Sequence, residues 1–494
     1  MCRKLRRDGM WFVVGSMVAG LMVLLGVAWV ACATQIESDS PDIIFTNSGE
    51  TLGSQIIASS DMTETVYLPS VLGYYDPSWI EPWGVETNDY TLLDKGTEAG
   101  IHWLRLRLKW SDIQPTESSF QWSSYDNVMD QVKASGMKPI VVVCDNPEWA
   151  DQDGNRCGPL TDTSHLTNFL TELAKRYGSG TGYNVRHWQI GNEVDHDYQT
   201  WLDTYYPSGQ IGCWGDKIEE YITFLEAARG ALKAQDPNAV VMVGSLAMVD
   251  STILDFLDRF LAAGGGSHFD AASVHFYSGQ DNAGYTCADP PSCTIKGLKG
   301  KVTILRNVMA KYGLDKPLMI TEIAGRCFPA DQPCSTVDLE AQANYAIRYN
   351  VEAMSVDATP AIWFTLDYPG FYHSSLLDEN DDPKPAYIAY QMLTFELYGG
   401  RFVRQMSASE VGSDTEGYVI STAGGTKEKY VLWRTSSGTS IVSFSLSAVK
   451  TATRNDMTIE TTVIQDGQIG DLDSRTGYVG ISVGESPKIV AHYP

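Results

Sequence analysis

Short runs of β-forming residues alternate with helical patterns along most of this chain, and the alternation restricts the folds that it can adopt. Between the runs, apolar residues recur at three- and four-residue steps, as they do from Leu166 to Tyr177 just before Gly178. Strands that alternate with helices pair in parallel. The β-rich runs number eight, at 71–75, 103–108, 139–144, 185–191, 240–246, 271–276, 318–321 and 361–365.

Eight repeats of strand and helix predict an α/β fold of the (β/α)8 TIM-barrel type, which we place at residues 68–398. A doubly wound parallel sheet would show the same alternation. Such a sheet usually carries a glycine-rich phosphate loop after its first strand, and no such loop follows the first run here. The sequence therefore favours the barrel.

The pattern changes after Gly399 and Gly400. Apolar and polar residues then alternate with a period of two, in runs at 418–421, 430–434, 440–446, 457–464, 478–483 and 488–493. This pattern predicts a small antiparallel β-sandwich over residues 399–494, with no catalytic signature of its own. Because only the two glycines separate it from the barrel, we expect the sandwich to be fixed against the barrel.

The N-terminal segment indicates where the protein works. Four basic residues within the first seven precede an apolar stretch at 11–30, and Ala31-Cys32-Ala33 then offers small residues for cleavage. About 20 apolar residues are long for a signal core and long enough to span a bilayer. Residues 1–33 are therefore predicted to be a signal peptide or a membrane anchor, and the polar residues 34–67 a tether. Both readings place the rest of the chain outside the cell or at its surface.

Seven of the nine cysteines follow this segment, and export would expose them to an oxidising compartment. A metal site is disfavoured, because the C-x-x-C spacing and nearby histidines are missing. Two pairs lie close together within loops, and a third pairing joins two loop cysteines on one face of the barrel. The predicted disulfides are Cys287–Cys293, Cys327–Cys334 and Cys157–Cys213. Cys144 would then be a buried free thiol.

The charge balance excludes some classes of partner. Lys and Arg number 36 against 61 Asp and Glu, which gives a formal net charge of −25. A chain this acidic repels phosphate backbones, so a general nucleic-acid binder is excluded and anionic polymers are disfavoured as substrates. The 13 Trp and 25 Tyr supply flat amphipathic rings, which suit neutral ligands rich in hydroxyl groups.

Active sites of such barrels lie at the C-terminal ends of the strands. Those ends hold two glutamates, Glu193 after the fourth run and Glu322 after the seventh, 129 residues later. Glycoside hydrolysis needs such a pair, because one acid protonates the leaving oxygen and one carboxylate attacks or activates water. The other polar or aromatic residues near strand ends are Arg105, Arg107, Asn192, His275, Tyr277 and Trp363.

In these residues the chain resembles the clan A glycoside hydrolases, in particular families 5 and 39. Asn192-Glu193 resembles the fourth-strand motif of that clan, whose Glu is the acid/base and whose Asn contacts the sugar 2-hydroxyl. Glu322 resembles the nucleophile of the seventh strand, and Arg105 resembles the arginine that braces it. The resemblance implies hydrolysis with retention of configuration.

The resemblance extends to residues that would bind substrate. His275 and Tyr277 resemble the sixth-strand positions, where the tyrosine hydrogen-bonds the nucleophile. Trp363 resembles the aromatic floor beneath the cleaved sugar. The similarity covers residues 68–494, and it includes three further motifs, at 109–115, 146–150 and 383–387.

Together with the N-terminal segment, which indicates export, the resemblance predicts an exported retaining β-glycoside hydrolase that acts on an oligo- or polysaccharide and needs neither a metal nor an organic cofactor. A carbohydrate-binding barrel without catalysis is the alternative from another class. Both carboxylates with Asn192 argue against it, because a pure binder gains nothing from that pair. A transglycosylase would use the same residues, and it would differ only in whether a sugar or water takes the second step. Two aspartate-rich runs, 151–155 and 378–382, lack the remaining ligands of a calcium loop.

Overall fold

The computed structural model describes residues 3–7, 10–14, 82–154, 156–195, 214–215, 217–247, 251–277, 297–327, 333–422, 425 and 427–493. The chain divides into two compact units, Met1–Tyr74 and Tyr75–Pro494. In the first unit, β1 (Arg3–Arg7) pairs antiparallel with β2 (Met10–Val14). The rest of the predicted signal or anchor segment and the predicted tether lie outside the described residues. Over the described part of the chain, no helix has both the length and the apolar character needed to cross a bilayer.

The second unit contains the predicted barrel, and the fold prediction is confirmed. Eight parallel strands pair in the order β7-β6-β5-β4-β3-β10-β9-β8. Isolated bridges from Met242 to Ala271 and from Leu246 to Val274 join the two outer strands and bring the sheet close to closure. The strands are β3 (Trp83–Glu86), β4 (Trp103–Lys109), β5 (Lys138–Cys144), β6 (His187–Ile190), β7 (Val240–Val243), β8 (Ala272–Tyr277), β9 (Leu318–Ala324) and β10 (Ala361–Phe364).

The first barrel strand differs from the sequence prediction. The run at 71–75 lies outside the described residues, and β3 occupies the first position of the barrel instead. This strand is short and contains a glycine, which weakened its signal in the sequence. A Cβ at Gly84 would lie 2.1 Å from Cδ1 of Ile362 and 3.0 Å from Cβ of Trp103, so a larger residue there would require neighbouring side chains to shift. The other seven predicted runs each overlap a strand of the barrel.

Helices follow most strands, and local sequence signals set where several of them begin. The Asp162 carboxylate accepts a hydrogen bond from the Ser164 N–H before one helix, and Ser335 and Asp338 form a capping box before another. The helices of the barrel are α1 (Leu93–Glu98), α2 (Trp110–Ile113), α3 (Ser123–Ser135), α4 (Thr163–Tyr177), α5 (Ile218–Gln235), α6 (Ser251–Ala262), α7 (Gly297–Lys311), α8 (Thr336–Ser355) and α9 (Pro385–Glu396).

The core has two layers, because alternate strand residues face opposite sides of the sheet. One layer fills the barrel interior with Trp103, Ile140, Met242, Ala271, Met319 and Ile362. The other lies between strands and helices and contains buried residues such as Trp188, Phe169 and Tyr390. Toward the C-terminal ends of the strands, inward positions change from apolar to charged, as they do from Trp103 to Arg105 on β4.

The C-terminal part is antiparallel, as predicted, and it gains two strands that the sequence reading missed. A six-stranded sheet has the order β11-β12-β13-β18-β15-β16, and β14 pairs with β17 separately. The missed strands are the first and fifth of this group. The elements are β11 (Arg401–Gln405), α10 (Ala408–Val411), β12 (Thr415–Thr422), β13 (Lys427–Arg434), β14 (Ser440–Phe444), β15 (Ala448–Asn455), β16 (Thr458–Gln465), β17 (Val479–Val483) and β18 (Lys488–His492).

Polar contacts connect this part to the barrel helices. The Lys299 ammonium on α7 lies 3.0 Å from a Glu416 carboxylate oxygen and donates to the Tyr418 hydroxyl at 2.7 Å. Lys429 on β13 donates to Glu396 at the end of α9 at 2.5 Å. The sandwich is therefore packed against the barrel, as the short connection predicts.

The cysteines support the predicted framework where they are described. Cys327 and Cys334 form a disulfide, which confirms that prediction. Cys157 is also disulfide-bonded, whereas Cys144 is a free, half-buried thiol. Cys213, Cys287 and Cys293 lie outside the described residues, so their pairings remain predictions.

Candidate active site

The two predicted catalytic carboxylates meet at the C-terminal mouth of the barrel. Glu193 follows β6 and Glu322 lies within β9. One oxygen of Glu193, one oxygen of Glu322 and a ring nitrogen of His275 all lie within 4.8 Å of one another. The pair is therefore close enough to act on one bond of one substrate.

Glu322 is buried and surrounded by hydrogen-bond donors. Its Oε1 accepts from Arg105 Nη1 at 2.6 Å and from Arg107 Nη2 at 2.9 Å. Its Oε2 accepts from the Tyr277 hydroxyl. Pairing between β8 and β9 shifts register beside Glu322, so that His275 and Glu322 become direct neighbours. The fold thus places the predicted nucleophile next to two predicted partners.

These donors keep Glu322 ionised. Burial alone raises the pKa of a carboxyl, but the charges of His275, Arg105 and Arg107 and the Tyr277 hydrogen bond outweigh it and lower the pKa of Glu322 below its ordinary value. Burial and the adjacent carboxylate raise the pKa of Tyr277 well above its ordinary value, so the hydroxyl keeps its proton and remains a donor. A carboxylate with these properties is suited to attack an electrophilic carbon.

Glu193 has a different environment. Its side chain is 14% exposed, and its Oε1 lies 2.9 Å from Nδ1 of His275. The same nitrogen lies 3.3 Å from Oε2 of Glu322, so a proton on Nδ1 can serve either carboxylate. The backbone of Glu193 has φ +48°, in the left-handed region that non-glycine residues rarely adopt and that often marks functional sites.

Arg105 connects the two carboxylate positions. Its guanidinium is fully buried, and its Nη2 donates to Oδ1 of Asn192 at 2.5 Å while its Nε donates to Gln189 at 3.2 Å. The predicted Asn192 is half-buried beside Glu193. One arginine therefore contacts both the predicted nucleophile and the residue that precedes the predicted acid/base.

Glu86 completes the charge balance of the site and was missed in the sequence. It ends β3, it is 2% exposed, and it accepts hydrogen bonds from Arg105 and, at 2.9 Å, from Arg107 Nε. The two guanidinium groups thus face two carboxylates. A Glu at the end of the first barrel strand would have signalled it, but the first strand was placed too early in the chain.

The structure brings Phe364, not Trp363, beside the site residues. Trp363 is fully buried, its indole N–H donates to the Ser374 carbonyl at 2.7 Å, and its ring meets Tyr390 edge to face. The half-buried Phe364 is the next residue, and its ring centroid lies 6.2 Å from that of Tyr277. Side chains of successive strand residues point to opposite faces of the sheet. Trp363 therefore faces the helix layer, and Phe364 faces the barrel interior.

The cluster of Glu193, His275 and Glu322 is the one group of three potential metal ligands in the described residues. Two guanidinium groups already contact Glu322 and neutralise its charge. Their positive charges would repel a cation at this position. The donor set therefore fits acid–base and nucleophilic chemistry better than metal binding.

Comparisons with known proteins identify the family of this chain. The model of the cellulase family, glycosyl hydrolase family 5, matches residues 63–366, a range that contains both glutamates. No curated protein matches the chain in a sequence search.

Solved structures with a similar fold include several glycoside hydrolases. A family 39 glycoside hydrolase from Bacteroides cellulosilyticus WH2 is 16% identical with a TM-score of 0.63, over 83% of this chain and 81% of that one. A glucosidase from Croceicoccus marinus is 13% identical with a TM-score of 0.56, over 84% and 95%. A family 51 α-L-arabinofuranosidase from Thermotoga petrophila RKU-1 is 13% identical with a TM-score of 0.54, over 81% and 89%. At these identities the likeness shows a common fold.

Proposed function

The chain belongs to glycosyl hydrolase family 5, in clan A of the glycoside hydrolases, and we propose that it is an exported retaining β-glycoside hydrolase. The observation that carries the proposal is the pair of carboxylates, because one oxygen of Glu193 lies within 4.8 Å of one oxygen of Glu322. Retaining enzymes hold their two carboxyl groups about 5–5.5 Å apart, whereas inverting enzymes need about 6.5–9.5 Å to hold a water between them. The short separation supports double displacement.

In the first step Glu322 attacks the anomeric carbon of a β-glycoside. The bond from that carbon to the glycosidic oxygen breaks, and Glu193 gives its proton to the departing oxygen. A covalent glycosyl ester then joins the sugar to Glu322. The paired Arg105 and the hydrogen bond from Tyr277 support this assignment, because they hold Glu322 ionised before the attack.

In the second step the ionised Glu193 takes a proton from a water molecule. The resulting hydroxide attacks the anomeric carbon, the ester bond breaks, and Glu322 is released as a carboxylate. His275 contacts both glutamates and orients them for these alternating roles. Two inversions at one carbon give overall retention of configuration.

Alanine variants of the two glutamates test the roles. We expect Glu193→Ala to lose about 10²–10⁴-fold in rate on poor leaving groups, the usual contribution of a positioned acid or base. Its loss should be smaller in the first step on an activated aryl β-glycoside, which departs without a proton. Glu322→Ala should abolish hydrolysis, because no glycosyl ester can form.

Added azide distinguishes the two positions by the configuration of its product. We expect Glu193→Ala to give a β-glycosyl azide, because azide replaces water in attack on the ester. Any azide product of Glu322→Ala should be the α-glycosyl azide, because azide then takes the place of the nucleophile. A β-glycosyl azide from Glu322→Ala would show that the roles of the two glutamates are the reverse of those proposed. If the unmodified protein binds glycans without turnover, the result would favour the non-catalytic alternative.

The export part of the proposal rests on the N-terminal sequence. The basic residues and the apolar stretch at 11–30 support a cleaved signal or an anchor. We expect the full chain to be found outside the cytoplasm after expression, and a variant that lacks residues 1–33 to remain inside. Equal retention of both in the cytoplasm would contradict export without affecting the catalytic proposal.

A further inference from the structure

A further buried carboxyl group follows the proposed acid/base closely in the chain and has no part in the double displacement. Asp195 follows Glu193 by two residues and is 1% exposed. Both of its carboxyl oxygens lie within hydrogen-bonding distance of the Ala247 N–H, at 2.9 and 3.1 Å. Ala247 belongs to the connection after β7, so Asp195 ties the loop of the acid/base to the loop of the next strand.

A buried lysine contacts the carbonyl group of the same residue, Ala247. Lys301 on α7 is 4% exposed, and its ammonium donates to the Ala247 carbonyl at 3.3 Å and to the His275 carbonyl at 2.6 Å. Ala247 therefore donates to Asp195 and accepts from Lys301. Through His275 the lysine also fixes the residue whose ring lies 2.9 Å from Glu193.

A buried polar group that is fully hydrogen-bonded fixes local geometry, because each broken contact leaves an unsatisfied group out of reach of water. The left-handed backbone at Glu193 needs such support, since an unsupported chain would relax toward commoner torsions. The helix α7, the β7 connection and the β6 connection all meet at Ala247.

We propose that Asp195 and Lys301 are positioning residues, which hold Ala247 and His275 in place and thereby aim the Glu193 carboxyl at the leaving oxygen. The inference rests on the proposed function, because it assigns a purpose to these contacts in proton donation by Glu193. Neither residue touches the reacting atoms. Their effect on the reaction passes through His275 and the loop that carries Glu193.

The protonation state of Asp195 suggests which substitution removes the contact and which preserves it. Burial raises the pKa of Asp195 to about 8, and the negative charge of Glu193 also raises it. The hydrogen bond from the Ala247 N–H and the charge of Lys301 lower the pKa, but they do not offset the burial. At pH 6 the group is therefore neutral, and an asparagine side chain replaces it with nearly the same shape and one acceptor oxygen. Asp195→Asn is the conservative variant, and Asp195→Ala removes the acceptor.

The test compares two leaving groups at pH 6 in the full chain. Misplacing a catalytic group by about 1 Å costs up to about 100-fold in rate. We expect Asp195→Ala and Lys301→Met to lose from tenfold to that limit in kcat on an alkyl β-glycoside, which needs a proton to depart. On a dinitrophenyl glycoside the first step needs little protonation, so burst kinetics should show a much smaller loss. Asp195→Asn and Lys301→Arg should retain most of the activity on both.

Asp236→Asn is the matched control. Asp236 is 6% exposed, its carboxylate accepts from the backbone N–H groups of Ser179 and Asn238, and it precedes β7 at the opposite end of the barrel. This control substitution should change the activity on both substrates equally, or change neither. If Asp195→Ala loses activity equally on both leaving groups, or loses none on either, the proposal is overturned. If that variant fails to fold, the activities of Lys301→Met on the two leaving groups decide by the same criterion. An unmodified protein without turnover would instead refute the proposed function.

Discussion

The cluster of four charged side chains that includes Glu322 makes a quantitative prediction about stability. Glu86 and Glu322 face Arg105 and Arg107, and the side chains of Arg105 and Glu86 are 0% and 2% exposed. Glu86→Gln keeps the shape but leaves two guanidinium groups facing the single carboxylate of Glu322. Removing one partner of a buried ion pair destabilises a protein by about 3–5 kcal/mol, because the remaining charge is neither solvated nor paired.

The loss can be converted to a melting temperature. Unfolding entropy is about 2.1 cal/mol/K per residue, so for the unit Tyr75–Pro494 a loss of 3–5 kcal/mol lowers Tm by about 3–6 °C. Thermal unfolding followed by circular dichroism at one scan rate measures this shift. Activity should also fall, because the excess arginine charge makes the Glu322 carboxylate less basic.

Glu172→Gln is the control for removing a carboxylate charge. Glu172 pairs with Lys175 at 2.7 Å, but the two side chains are 47% and 53% exposed. Exposed pairs contribute about 0–1 kcal/mol, so this variant should change Tm by no more than about 1 °C. A Glu86→Gln variant with the same small shift as the control would refute the reasoning.

Three further predictions concern other parts of the molecule. Tyr277→Phe removes the hydrogen bond that the Tyr277 hydroxyl donates to Glu322, and a hydrogen bond to a charged group contributes about 1.5–3 kcal/mol. The variant should therefore lower kcat by about 10- to 150-fold in steady-state assays. An unchanged kcat would contradict a role for this hydrogen bond in catalysis. Burial raises the pKa of Glu352 to about 7, so the stability that the protonated carboxyl contributes is lost as the pH rises from the ordinary pKa of a glutamate to about 7. Glu352→Gln should therefore raise Tm at pH 8 more than at pH 4. Equal Tm shifts at the two pH values would contradict this effect. Peptide mapping of the secreted protein without reduction should find Cys287 bonded to Cys293, and free thiols there would exclude the pairing.

The barrel could be predicted because seven of its strands have strong local signals. Runs such as the one in β5 are continuously apolar, as buried parallel strands usually are, and helical periodicity separates them. The first strand escaped detection, because β3 has four residues and one of them is a glycine. A side chain at Gly84 would crowd Ile362 on the neighbouring strand, and only the folded barrel brings these two residues together.

The site was predictable as a set of residue types at strand ends and not as a network. The positions of Glu193, Glu322 and Tyr277 follow from strand ends, and that of Arg105 follows from its alternation with Arg107 on one strand. The charge balance at Glu86 depended on the misplaced first strand. The difference between Trp363 and Phe364 depends on which face of β10 points inward, and two adjacent aromatic residues leave that direction undetermined in the sequence.

The β11 and β15 strands show a related limit. Most residues of β11 are exposed, so it lacks the apolar alternation that marks a half-buried strand. In β15, threonine and lysine occupy positions where stronger apolar signals would be expected, although the strand pairs on both sides. Their places in the sheet depend on backbone pairing with neighbours that are distant in sequence.

The configuration of the first sugar released tests the central claim most directly. Proton NMR of an aryl β-glycoside, recorded with enough enzyme to consume it before mutarotation, reports which anomer leaves the active site. Double displacement through Glu322 predicts that the β-anomer forms first and that the α-anomer grows only by later mutarotation. The α-anomer as first product would contradict the account, because it would show a single displacement by a water molecule held between Glu193 and Glu322.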